Sequence, residues 1–186
     1  MNQPDSSNQP LFFTEPVALT SNLHSDASFK PETNYLFASK TNSIPLAVSE
    51  FEQAASSYPI VFTGTDAIAV MGLTAEQNVF VDEDGQWDMR SYIPAYVRKY
   101  PFLFHVSEDA DTFTLCVEKS NVADDDSGTP FFDEENPSPL VEQSLEFCKN
   151  FQAAWTQTTQ FVSTLVDLDL LIERRADVQS PSGKSS

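Results

Sequence analysis

Tyr58-Pro59-Ile60-Val61-Phe62 returns further along the chain as Tyr100-Pro101-Phe102-Leu103-Phe104. A segment of helical character precedes each phrase, Val48–Ser57 in the first case and Pro94–Lys99 in the second. A polar turn and a second apolar run come after each, Ala67–Leu73 and then Thr112–Val117. Proline pushes the residue before it out of helical backbone, and short apolar runs bounded by turn residues suit strands. The stretch therefore predicts helix, Tyr-Pro, strand, turn, strand, used twice. Between the copies, Asn78-Val79-Phe80-Val81 reads as a strand entering a turn at Asp82-Glu83-Asp84-Gly85 and emerging at Trp87.

Upstream, Ser49 before Glu50 and Glu52 reads as a serine cap with acidic residues in the first helical turn. Tyr35-Leu36-Phe37-Ala38 looks like a strand that Ile44-Pro45-Leu46 continues. Leu11 to Asn34 has apolar spots without a period and reads as an extended arm with a short strand at Pro16–Thr20. Downstream, Phe113–Val117 is the last clear strand, and 121–139 is a long acidic connector whose Phe131-Phe132 pair docks on the domain. Ser138 is placed to cap a C-terminal helical segment. In that segment Leu140, Leu145, Cys148, Phe151, Trp155, Phe161-Val162 and Leu165 recur at helical spacing, as one long amphipathic helix or two broken ones. Leu168 and Leu170-Leu171-Ile172 form a closing apolar segment. The expected organisation is a disordered arm over 1–15, one α+β domain with an antiparallel sheet over 16–172, and a flexible tail over 173–186.

Among 186 residues, 28 Asp and Glu face 10 Lys and Arg, a net charge of −18. Such a chain is repelled by nucleic-acid backbones and anionic membrane surfaces, so no nucleic acid is expected as partner. From His105 to Glu146 twelve acidic residues stand against Lys119 alone. No run approaches the ~20 apolar residues of a membrane span, so no membrane insertion is expected. No secretory signal is visible, which reads as cytoplasmic and leaves signal-independent export open. Cys116 and Cys148 make no disulfide framework and read as buried, reduced thiols.

The candidate sites are few. His24-Ser25-Asp26 with His105 has the residue types of a two-histidine, one-carboxylate iron site, yet the first pair lies in the weakly patterned arm. Asp82–Gly85 lacks the spacing of a calcium loop, since Ile93 stands where the closing Glu belongs. No phosphate loop, nucleophile elbow or His-Glu-x-x-His run occurs. Arg90, Arg98 and Lys99 form a small basic cluster interleaved with Tyr92, Tyr96 and Tyr100. Fork donors beside aromatic faces suit a carboxylate or a peptide; the plainer alternative is local ion pairing around half-buried tyrosines.

Ile44-Pro45-Leu46, Tyr58-Pro59-Ile60-Val61-Phe62, Asn78-Val79-Phe80-Val81-Asp82 and above all Tyr92-Ile93-Pro94-Ala95-Tyr96-Val97-Arg98-Lys99-Tyr100-Pro101-Phe102 resemble the SapC family, over roughly Pro16 to Leu171. That family is labelled S-layer-related, and similar proteins are often encoded beside TonB-dependent receptors, halogenase-like enzymes and cupin-like oxygenases. The resemblance implies an accessory role in a bacterial envelope, uptake or peptide-modification system, and carries no catalytic residue onto this chain. The expectation is a non-enzymatic protein that binds a peptide or partner protein near Tyr92–Phe104, with no cofactor. Two alternatives stay open. One is an enzyme subunit working with an oxygenase- or halogenase-like partner, and the other is a structural surface-layer component that forms homo-oligomers.

Overall fold

The computed structural model describes residues 10–106, 113–125 and 127–174. Its elements are antiparallel strands, short helices and one long C-terminal helix, an α+β architecture. The opening arm supplies β1 (Pro16–Ala18), α1 (Ser21–His24) and β2 (Ser28–Phe29). Next come β3 (Ser43–Pro45), a 3-10 turn at Val48–Glu50, and α2 (Phe51–Ala54), leading to β4 (Ile60–Thr63) and β5 (Asp66–Val70). The second unit is α3 (Ala95–Arg98), β6 (Phe102–Val106) and β7 (Phe113–Glu118). The connector carries β8 (Val122–Ala123), β9 (Thr129–Pro130), β10 (Phe132–Asp133) and β11 (Asn136–Pro137), and α4 (Pro139–Asp167) comes last.

The repeated phrase does mark a repeated structure. β4 pairs with β5 through Ile60–Ala69 and Phe62–Ala67, and β6 with β7 through Phe102–Val117 and Phe104–Leu115. Each hairpin then gains a third strand from earlier in the chain, always on its second strand, giving the orders β3-β5-β4 and β1-β7-β6. The copies differ at the proline: the Tyr100–Pro101 bond is cis. β2 lies between β8 and β9, which ties the connector to the arm. Asn121 strengthens that tie, its Nδ2 donating to Lys30 O at 3.0 Å while its carbonyl accepts from Lys30 N at 2.9 Å.

Several local expectations change. Leu36–Ala38 is a 3-10 turn and not a strand, because side chains satisfy its peptide groups locally: Asn34 Oδ1 accepts from Leu36 N and Ser39 Oγ donates to Leu36 O. The strand expected at Val79–Val81 shrinks to one bridge between Val81 and Trp87. There Asn78 bends the backbone, accepting from Phe80 N and donating to Ala38 O. The acidic tip is a turn folded on Asp82, whose Oδ1 accepts from Asp84 N and Gln86 N, with Gly85 at φ 77°. A Cβ at Gly85 would also lie 2.8 Å from atoms of Asn34 and Leu36, so glycine is required twice over. The arm is not wholly extended, since it contains α1.

α4 is unbroken over 29 residues. Pro139 opens it, and Ser138 occupies the cap position, but the Ser138 hydroxyl is buried and bonds to no described residue. Its inner stripe runs Val141, Leu145, Cys148, Phe151, Trp155, Thr158, Val162, the three-and-four spacing of one helical face. That face spans two cores. One gathers around Ile44, Leu46, Met71, Trp87 and Val97, the other around Phe102, Leu115, Val117, Phe131 and Cys148. The closing apolar segment follows the end of α4 and is largely exposed at Leu168, Leu170 and Ile172.

Thr158 is the polar member of the stripe. Its hydroxyl donates to Ala154 O at 2.7 Å and accepts from Val48 N at 2.8 Å, so it satisfies the first amide of the 3-10 turn. Thr158→Val keeps the shape and orphans that amide. The expected loss is about 1–3 kcal/mol in denaturant unfolding, and an unchanged midpoint would show that the amide finds another partner.

Candidate binding site

A buried carboxylate organises the site. Glu50, at the end of the 3-10 turn, is 5% exposed. Its Oε2 accepts from Ala47 N at 3.0 Å, capping its own turn. Its Oε1 accepts from Ala95 N at 2.6 Å, the first residue of α3, and from the Tyr92 hydroxyl at 2.9 Å. One side chain of the first unit therefore anchors the helix of the second. The serine expected to cap this turn, Ser49, is exposed, and Glu50 does the capping.

Tyr92 is gripped from three sides. Ser57 Oγ accepts from its backbone N, the Tyr58 hydroxyl donates to its carbonyl, and Glu50 accepts from its own hydroxyl. Trp87 Nε1 donates to the Tyr58 hydroxyl at 3.1 Å, which completes a buried chain of donors. Burial pushes the Tyr58 phenol up to about 12. Burial first, and then the Glu50 carboxylate, raises the Tyr92 phenol above its ordinary value. Both remain donors at neutral pH.

Arg98 leans over this platform. Its Nε donates to Ile93 O and one terminal nitrogen to the Tyr92 hydroxyl, both at 3.0 Å. The guanidinium lies 5.7 Å from the Tyr92 ring centre and 5.6 Å from that of Phe147. Among the described residues no carboxylate pairs with it directly; the ion pairs there are Arg90–Asp88 and Lys119–Glu15. Beside it opens a cleft of about 380 Å³ between the Glu50 turn, α3 and α4, with Gln53, Asn150, Phe151 and Ala154 on its walls.

Lys99 points elsewhere. It is 8% exposed, and its Nζ stands 4.2 Å from the ring centre of Tyr96, 5.1 Å from Phe13 and 5.6 Å from Phe151. Burial pulls its ammonium down to about 8, against a small opposing effect of Cys148. Burial likewise lifts the Cys148 thiol to about 11 and the Tyr96 phenol to about 12.

The basic cluster read from sequence thus divides. Tyr92 and Arg98 share the cleft, while Tyr96 and Lys99 share a separate aromatic box. Tyr100 stacks on Phe37 at 4.0 Å and 20°. Arg90 sits on an exposed turn and pairs with Asp88 at 3.5 Å. His24, Asp26 and His105 are not brought together: among the described residues no three His, Cys, Asp or Glu side chains form a group able to hold a metal ion. His24 Nδ1 instead contacts the Thr20 backbone, and His105 lies exposed in β6. Glu50 and Phe147 escaped the sequence reading. A Glu in a first turn suits solvent as well as a core, and with Ala47 rather than Ser or Thr three residues earlier no capping-box signature marked it.

The SapC family model matches residues 19–186. The chain belongs to the SapC family. No curated protein and no solved structure matches it. In this SapC protein the whole Arg98 cleft lies within the matched span, whereas Phe13 of the lysine box precedes it. Among the described residues no helix is long and apolar enough to cross a membrane.

Proposed function

We propose that this SapC protein is a non-catalytic binding or accessory protein whose Arg98 cleft receives a carboxylate-bearing peptide segment of a partner protein. The observation that carries the reading is Arg98 itself. In a chain of net charge −18, its guanidinium is held by a backbone carbonyl and a phenol, and is left without a carboxylate among the described residues. A fork so fixed has lost its rotamer freedom in advance and keeps donors for a planar anion. The apolar walls from Phe147, Phe151 and Ala154 suit the side chains flanking that anion. SapC membership supports placing this role in a bacterial envelope, uptake or peptide-modification system, with an oxygenase- or halogenase-like enzyme as one class of partner.

Random peptides displayed and selected on the intact chain are expected to converge on an Asp, Glu or free C-terminus beside apolar residues. Arg98→Met should weaken the selected peptides by about tenfold or more, as loss of a charged hydrogen bond does. Arg90→Met, on its exposed turn, should leave them unchanged. Peptides that bind Arg98→Met as tightly as the parent would overturn the assignment of the cleft, and so would a selection that converges on nothing.

A further inference from the structure

On the far side of Phe151 from Arg98 lies a second cavity, of about 320 Å³, walled by Tyr96, Leu103, Phe104, Trp155 and the Lys99 side chain. Its volume is at the lower end of small-molecule sites, about 300–1,000 Å³. Three rings surround the Lys99 ammonium, and among the described residues no acceptor takes a hydrogen bond from its Nζ. Aromatic faces offset part of the cost of burying a cation but accept none of its three protons in a strong bond. The remaining lining is apolar apart from the Gln152 amide, the Trp155 indole N–H, the Tyr96 hydroxyl and the Cys148 thiol.

We propose that this cavity is a binding site for a small molecule with an apolar body and a single carboxylate, the Lys99 ammonium receiving the carboxylate. The proposal does not depend on the peptide reading of the Arg98 cleft. Among the described residues, the other titratable groups facing Lys99 are Tyr96 on α3 and Cys148 on α4, and burial holds both neutral, so the charge they leave for the ligand is that of the ammonium. The fold also keeps a group that works against it. With the native ammonium titrating near 8 rather than 10.5, the unfolded chain binds more protons between those values, so stability rises with pH across that window. Lys99→Met removes this burden and is expected to fold at least as well as the parent at neutral pH.

The test is calorimetric titration of the full chain with 3-phenylpropionate. Saturable binding is expected at about pH 6.5, weaker by about tenfold or more at about pH 9.5, where the ammonium has lost its proton. Lys99→Met should abolish it, and Arg98→Met should leave it unchanged. On the parent protein, 3-phenylpropanamide, of the same shape without the charge, should bind at least about tenfold more weakly. Equal binding of acid and amide overturns the proposal whether or not the Lys99 variant folds, as does the absence of any saturable binding by the acid. A loss with Arg98→Met in place of Lys99→Met would assign the acid to the other cleft.

Discussion

Glu50→Ala is expected to lower stability by about 3–5 kcal/mol, a large part of the ~5–15 kcal/mol that holds a typical domain folded. The carboxylate is buried and takes three hydrogen bonds, two from backbone amides and one from a phenol. Each bond to a charged acceptor is worth about 1.5–3 kcal/mol, although three on one group do not add. Alanine leaves the Ala47 and Ala95 amides facing a void. Glu50→Gln is expected to recover only part of the loss, because one of its two heads would be an NH₂ group facing a backbone N–H. Tyr92→Phe, which leaves both amide bonds intact, should cost about 1–2 kcal/mol. Urea unfolding of the three variants checks the order. Parity of Glu50→Ala with Tyr92→Phe would show that the carboxylate does not join the two units.

The second large effect is expected at Phe131→Ala. Phe131 is fully buried, and its ring stands 6.1 Å from that of Phe29 and 6.5 Å from that of His24. It is the point where the acidic connector enters the second core beside Phe102, Val117 and Cys148. Its backbone is committed as well, with Phe131 N donating to Ala27 O and Ser138 N donating to Phe131 O. The ring therefore cannot be replaced by a small shift of the chain, and truncation leaves a cavity at a cost of about 3–5 kcal/mol. Phe132, half-buried, should cost less than half as much when truncated. The unfolding midpoint should fall with the slope preserved. Faster proteolytic cleavage near the β9–β10 region at unchanged global stability would show instead that the connector opens on its own.

The halves of the molecule differed in how openly the sequence declared them. Both Tyr-Pro units were legible because proline and continuous apolar runs act locally, and the helical stripe of α4 was legible because its period is regular over many turns. What stayed hidden depends on contacts between distant residues. Tyr35–Ala38 is a short apolar run of strand length, but Asn34 and Ser39 decide its turn. Leu168–Ile172 is as apolar as a core segment, yet α4 has by then run past the sheets. For the site, the basic residues and tyrosines were visible as a cluster, but adjacent helical positions face apart. Arg98 consequently lines the Glu50 cleft and Lys99 the cavity beside Trp155, although both also border a third cavity next to Tyr100 and Phe147, and the buried Glu50 that fixes Arg98's cleft lies more than forty residues earlier.

A guanidinium without a carboxylate partner among the described residues, on an acidic body, has a consequence for recognition at a distance. Beyond the Debye length of about 8 Å a partner senses mainly the summed negative field, which draws in basic surfaces and turns acidic ones away. Only within contact range does Arg98 reverse that preference. A protein suited to both ranges carries a solitary acidic group, or a free C-terminus, set within a basic neighbourhood. On the proposed reading, such a two-sign address would be read in sequence, first by diffusion and then by docking, and a uniformly acidic or uniformly basic competitor would fail one of the two steps.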